Sequence, residues 1–180
     1  EHQVSVPLND IDAIDAVFAQ HGDDIAAILI EPIMGNCGSI ASTQAYMQKL
    51  RDVCDSNGSL LIMDEVKTGF RVAKGGAQAL YGIFADLTTY AKAMGNGYPV
   101  AAFGGRAEVM DTISFAKDGV THGGTYTANM VALSAAKATL TVLKETNALE
   151  TAASVGQKIQ SLLSRVFTKF GVEHCFAGPD

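Results

Sequence analysis

Three polar residues stand where buried strands would end. Glu31 follows the apolar run Ile25-Ala26-Ala27-Ile28-Leu29-Ile30, Asp64 follows Leu60-Leu61-Ile62-Met63, and Lys92 lies just past Leu87 to Tyr90. A fourth polar group, His122-Gly123-Gly124-Thr125-Tyr126-Thr127, precedes a helical stretch. In open α/β sheets, function gathers at the carboxyl ends of the strands. An acid, a lysine and a glycine-rich hydroxyl loop suit one kind of chemistry in particular. A lysine amine captures an aldehyde as a Schiff base. A carboxylate keeps a heterocyclic nitrogen protonated, so that the ring withdraws electrons. Hydroxyls and backbone N–H groups at a helix start bind phosphate.

Pyridoxal 5′-phosphate (PLP) asks for all three, and Lys92, Asp64 and Thr125 could supply them. Each residue also has a plainer reading. Most lysines are simply solvated, most strand-end carboxylates are surface acids or helix caps, and a threonine ahead of a helix is often a cap. Asp64-Glu65 with His122 could also serve metal or acid–base chemistry, although no further ligand is spaced to help.

The elements that must position these groups follow from local pattern. Asn9 is placed to cap a helix from about 11 to 20, closed by Gly22. Ser42 or Thr43 starts a second helix that ends before Asn57-Gly58. Short helices are expected at 75–81 and 107–113, a strand at 100–103, and a tight turn at Gly95, Gly97 and Pro99. Thr127 or Asn129 opens a long helix to about Lys144, and another covers roughly 149–170. Continuous apolar runs suit strands buried on both faces, as in parallel sheets. Strands alternating with helices predict an α/β fold of three layers, a mostly parallel sheet flanked by helices.

Composition narrows the partners. Hydrophobic residues make up 48% of the 180 and charged ones 18%, which is globular and not disordered. The net charge of −6 argues against nucleic acid or an anionic membrane surface. The longest apolar runs are strand-sized, too short to span a bilayer. Cys37, Cys54 and Cys175 are scattered and odd in number, which reads as reduced cytoplasmic thiols. No Cys/His spacing suggests zinc. The first residue is Glu1 and the chain stops at Ala177-Gly178-Pro179-Asp180 in mid-pattern, as expected of a piece of a longer protein.

The wording of the motifs adds a resemblance. Glu31-Pro32-Ile33-Met34-Gly35-Asn36 is similar to the Glu-Pro segment of class-III aminotransferases, PLP enzymes of fold type I. Leu61-Ile62-Met63-Asp64-Glu65-Val66-Lys67-Thr68-Gly69-Phe70-Arg71 resembles their signature segment, and Ala91-Lys92-Ala93-Met94-Gly95-Asn96-Gly97-Tyr98-Pro99-Val100 their Schiff-base segment. The resemblance implies that Lys92 holds PLP covalently, that Asp64 binds the pyridinium and that Val66 packs on the ring. It further implies that Asn36 bonds the ring hydroxyl, that Glu31 belongs to the cofactor site, and that Thr125 binds phosphate in the neighbouring subunit of a homodimer. Asn36, Asp64 and Lys92 follow one another at intervals of 28 residues.

Within the family, Gly35-Asn36, Phe70-Arg71-Val72-Ala73 with Gly76-Ala77-Gln78, and Phe103-Gly104-Gly105-Arg106 resemble the glutamate-1-semialdehyde 2,1-aminomutases. Tyr126-Thr127-Ala128-Asn129-Met130 resembles the general aminotransferases instead. The implied activity is transfer of an amino group between an amino donor and a carbonyl acceptor, or its shift within one molecule. The implied organisation is a large PLP-binding domain over 1–146 and, over 147–180, a helix and the start of a small domain. The family's N-terminal phosphate cup and most of its small domain have no counterpart here. An inactive scaffold is therefore the rival from another functional class.

Overall fold

The computed structural model describes residues 3–116 and 118–178; the chain ends Glu1-His2 and Pro179-Asp180 noted above lie outside them. Helix α1 (Ile11–His21) leads to strand β1 (Ala27–Ile30) and a small hairpin, β2 (Ile33–Met34) and β3 (Ile40–Ala41). Then come α2 (Gln44–Asn57), β4 (Leu60–Asp64), α3 (Gly76–Tyr81), β5 (Leu87–Tyr90) and β6 (Ala102–Gly105). The short α4 (Ala107–Met110) and the long α5 (Met130–Glu145) and α6 (Ala148–Lys169) follow.

The main sheet has the order β1-β4-β5-β6. β1, β4 and β5 are parallel, with Ile30 beside Met63 and Asp64 beside Thr89. β6 runs antiparallel to β5. The Gly95–Pro99 turn makes too short a connection for a parallel crossover, so the chain can only return. The architecture is the expected α/β one, a mostly parallel sheet flanked by helices.

One face of the sheet carries the core. Ile28, Ile30, Leu61 and Met63 share it by strand alternation, and they pack on Ile14 of α1 and on Tyr46, Met47, Leu50, Val53 and Cys54 of α2. Those α2 positions fall on one helical stripe, which is why the helix forms here rather than in isolation. The Thr43 hydroxyl caps it by accepting from the Tyr46 N–H, and Gly58 closes it at φ 69°. Burial pushes the Cys54 thiol up to about 11, so it is protonated and inert within this core.

Three sequence expectations are corrected. Asp10, not Asn9, caps α1, through a bond from the Ala13 N–H at 2.9 Å. Asn9 adopts φ 66° and ties the hairpin to the start of α2, donating to the Ala41 carbonyl and accepting from the Thr43 N–H. The strand expected at 100–103 begins two residues later, at Ala102. Finally, β1 is buried on one face only, since Leu29 on the other face is 70% exposed.

A buried carboxylate locks the sheet to its helices. Asp86, 2% exposed, accepts from the Leu61 N–H at 2.7 Å, from Arg51 of α2 at 2.9 Å and from Arg106 after β6 at 3.0 Å. Its main chain bonds the Leu61 carbonyl on one side and the Arg106 N–H on the other. Gly105 is required at this crossing, because a Cβ would collide with the Asp86 backbone. Burial alone would raise the Asp86 carboxyl, but the Leu61 N–H, Arg106 and Arg51 together hold it below the usual carboxylate range.

Asp86→Asn is expected to lose about 1–3 kcal/mol of stability in urea unfolding, because the mostly buried Arg51 loses its charged partner while the exposed Arg106 head stays solvated. The depressed pKa sets the pH dependence. The contribution is present above the unfolded carboxyl's pKa of about 4 and is lost as pH falls through the folded value. Acidification below about pH 4 should therefore erode wild-type stability more steeply than that of Asp86→Asn.

Candidate active site

The parallel registers align the carboxyl ends of β1, β4 and β5. Glu31 follows Ile30, which pairs with Met63, so it stands level with Asp64; Asp64 itself pairs with Thr89. Alternation sends Asp64 and Thr89 to the face opposite α1 and α2. The Thr89 hydroxyl donates to Asp64 Oδ1 at 3.2 Å and the Val66 N–H donates to the same oxygen at 2.9 Å. The other oxygen, Oδ2, takes no hydrogen bond among the described residues. The carboxylate is thus gripped at one oxygen and free at the other. Glu31 and Val66 beside it are half-buried.

The next residue points the other way. Glu65 is fully buried, and its carboxylate accepts from the Thr68 hydroxyl at 2.9 Å, the Ala77 N–H at 2.5 Å, and both the N–H and side-chain amide of Gln78 at 3.3 and 3.2 Å. Gly76 sits against it at φ 66°, where a Cβ would overlap the carboxylate. Gln78 passes the network on to the Tyr90 hydroxyl at 3.2 Å. Burial, and then the Glu65 charge, push the Tyr90 phenol above its ordinary range. Glu65 anchors the turn between Asp64 and Val66 from below. Sequence reasoning missed this role; the signal was a strand-end acid out of phase with Asp64 and a glycine-started helix to receive it.

Lys92 opens a 3-10 turn, Lys92–Met94, immediately after β5. It is exposed and takes a left-handed backbone, φ 41°, a conformation that costs a non-glycine residue roughly 1–3 kcal/mol. Among the described residues its amine has no carboxylate within salt-bridge distance. It lines an open cavity of about 540 Å³ with Arg71, Asn96 and Tyr98. A second cavity, of about 650 Å³, lies where α5 meets α6, around Thr146, Asn147 and Ile159, and holds no ionisable group.

Asn36 sits in the β2–β3 turn, where its side-chain oxygen accepts from the Lys67 ammonium. Lys67 comes from the Asp64–Gly69 turn, so the hairpin and the end of β4 are joined. Thr125 is exposed on the loop before α5, and its hydroxyl makes no hydrogen bond among the described residues. His122 of that loop packs edge-on against Phe103 of β6, ring centres 5.0 Å apart. Asn129 caps α5 by accepting from the Val131 and Ala132 N–H groups. The fold therefore gathers Glu31, Asp64 and Val66 at one sheet edge, with Asn36 tied to that edge and Lys92 one strand away. Thr125 makes no hydrogen bond to any of them among the described residues.

This chain is similar to aminomutases and transaminases. The family model described as aminotransferase class-III matches residues 3–173. A glutamate-1-semialdehyde 2,1-aminomutase of Halorubrum lacusprofundi is 41% identical over all of this chain and 40% of its own length. A protein of the same name from Persephonella marina is 43% identical over 94% of this chain and 39% of its own. A solved structure titled "Transaminase with PLP bound" superposes with a TM-score of 0.89 at 31% identity, over 97% of this chain and 41% of that one. The chain thus spans about two fifths of the length of these relatives. With the family model running across nearly its whole extent, this chain belongs to the class-III aminotransferase family.

Proposed function

We propose that this chain forms the heart of the PLP site in an enzyme that moves amino groups from an amino donor to a carbonyl acceptor. One observation carries the reading: at and just past the carboxyl ends of adjacent parallel strands stand Asp64, with one oxygen free, and Lys92, with no salt-bridge partner, both among the described residues. Those are the groups that PLP requires. A free carboxylate oxygen accepts the ring N–H, and a lysine amine condenses with the aldehyde as a Schiff base, releasing water. The family match and the PLP named in the solved transaminase's title support the same assignment.

When bound, PLP withdraws electrons from the carbon that carries the amino group. The chain's residues do the rest. Lys92 Nζ would hold the cofactor covalently and, when free, would serve as the base that takes and returns a proton at the substrate carbon. Asp64 Oδ2 holds the ring-nitrogen proton. Its other oxygen is kept in place by Val66 N–H and Thr89, so the carboxylate does not swing. Val66 packs on the ring, Asn36 bonds the ring oxygen, and Glu31 closes the same edge. Thr125, exposed on the loop before α5, binds the phosphate of the neighbouring subunit's cofactor in a homodimer. Residues 147–180 begin the second domain, after the break between α5 and α6. The three unpaired cysteines fit a reducing compartment, and we place the enzyme in the cytoplasm. No described helix is long and apolar enough to cross a membrane.

The names of the relatives favour a second reading, the shift of an amino group within one molecule. Supplying glutamate 1-semialdehyde alone to the complete protein separates the two. Turnover without a second substrate marks the aminomutase; dependence on a separate donor marks the aminotransferase. The 180-residue chain alone is expected to be inactive, and clear amino transfer by it would overturn that view.

Two mutations test the residues. Lys92→Ala in the complete protein should abolish the visible absorbance of bound PLP and lower turnover by roughly 10²–10⁴-fold; an unchanged spectrum would remove Lys92 from the site. Thr125→Ala should weaken PLP binding about 10-fold or more, the loss of one charge-assisted hydrogen bond. Mixed dimers then report where Thr125 acts. Lys92→Ala and Thr125→Ala subunits combined should recover one fully intact site per dimer if Thr125 serves its partner. If it serves its own subunit, no intact site forms and activity stays at the level of the Thr125→Ala parent or below.

A further inference from the structure

The contact between Lys67 and Asn36 has no place in the chemistry described so far. Lys67 lies three residues beyond Asp64, in the turn braced by Glu65, and its ammonium donates to Asn36 Oδ1. Its stem crosses Gly35, where an added Cβ would run into the lysine Cδ and lie 3.1 Å from Nζ. Gly35 therefore clears the path by which Lys67 reaches Asn36.

An ammonium has three donors and no acceptor. The atom of the Asn36 amide that meets it must be the oxygen, whichever way the amide is first drawn. Once that oxygen is taken, the free end of the side chain is its NH₂ group. The end of Asn36 turned away from Lys67 is then a donor.

We propose that Lys67 is a positioning residue that fixes Asn36 as a hydrogen-bond donor to the ionised ring oxygen of PLP. This rests on the reading that Asn36 faces that oxygen. A donor held there, polarised by a cation behind it, stabilises negative charge on the ring oxygen. That charge grows when the neighbouring Lys92 nitrogen gives up its proton. Lys67 thus lowers the pH at which the Lys92-bound cofactor deprotonates, and favours the form that an incoming ammonium substrate can enter by proton exchange.

The ionisable groups on the surrounding elements are Glu31 after β1, Cys37 in the hairpin, Asp64 at the end of β4, the buried Glu65 next to it, Arg71 beyond them, Tyr90 on β5, Lys92, and Tyr98 in the turn after it. A change at Lys67 alone leaves all of them in place. The test is a pH titration of the visible absorbance of the complete, PLP-loaded protein. Lys67→Met keeps the stem over Gly35 and removes the charge; the midpoint should rise by about one unit. Gly35→Ala, which displaces the stem but keeps the lysine, should move it the same way by a smaller amount. Asn36→Ala is the control. If it raises the midpoint and Lys67→Met does not, the role of Lys67 is overturned while Asn36 keeps its place. If neither moves it, Asn36 does not face the ring oxygen, and the inference fails with that reading.

Discussion

Parallel strands present a common edge only if their registers are held, and here the register is held by Asp86. Its carboxylate bonds the main chain of β4 at Leu61, the α2 guanidinium of Arg51 and the Arg106 guanidinium beyond β6. Three sheet strands and the core helix therefore share one charged knot at the amino ends of β4 and β5. Everything at the opposite ends of those strands inherits its level from this knot. A slip of one residue would turn Asp64 into the core and Met63 out of it. Burying such a carboxylate is costly in isolation, and it is tolerated because three donors, two of them charged, surround it.

At the other end of β4 the two-residue period of a strand divides labour between two neighbouring acids. Asp64 turns to the open face and keeps one oxygen unbonded. Glu65 turns inward, where four donors saturate it and Gly76 admits it. A buried, fully satisfied carboxylate is a rigid anchor. The flexible-looking Asp-Glu-Val-Lys turn is thus fixed from below, and this lets Asp64, Val66 and Lys67 face a common region without relying on loop stiffness.

The strain is stored where chemistry is proposed. Lys92 at φ 41° and Asn96 at φ 46° lie in one short loop between β5 and β6. A left-handed lysine persists only when its surroundings determine it. Here β5 delivers the chain in a fixed direction, Gly97 at φ 103° completes the turn, and β6 returns antiparallel to bond with β5.

Much of this was legible in the residues themselves. The apolar runs ending in Glu31 and Asp64, the caps at Thr43 and Asn129 and the Gly58 stop are local signals, decided by hydrophobic period and side-chain size. The family motifs, too, lie in short contiguous stretches. Other features depend on which strand lies beside which, and no local pattern carries that. Asn9 resembles a cap but is drawn away by a hairpin more than thirty residues distant. Leu29 belongs to an apolar run yet stands exposed, because burial belongs to a face and not to a residue. Asp86 and Glu65 become buried anchors only where packing places donors around them. The sequence by itself thus determined the elements, the family and the residue types at the strand ends. Only the tertiary structure decided that, among the described residues, Asp64 keeps an oxygen free and Lys92 stands one strand away without a salt-bridge partner, and that Lys67 meets Asn36. Those are distances between segments far apart in the chain, set by register and packing.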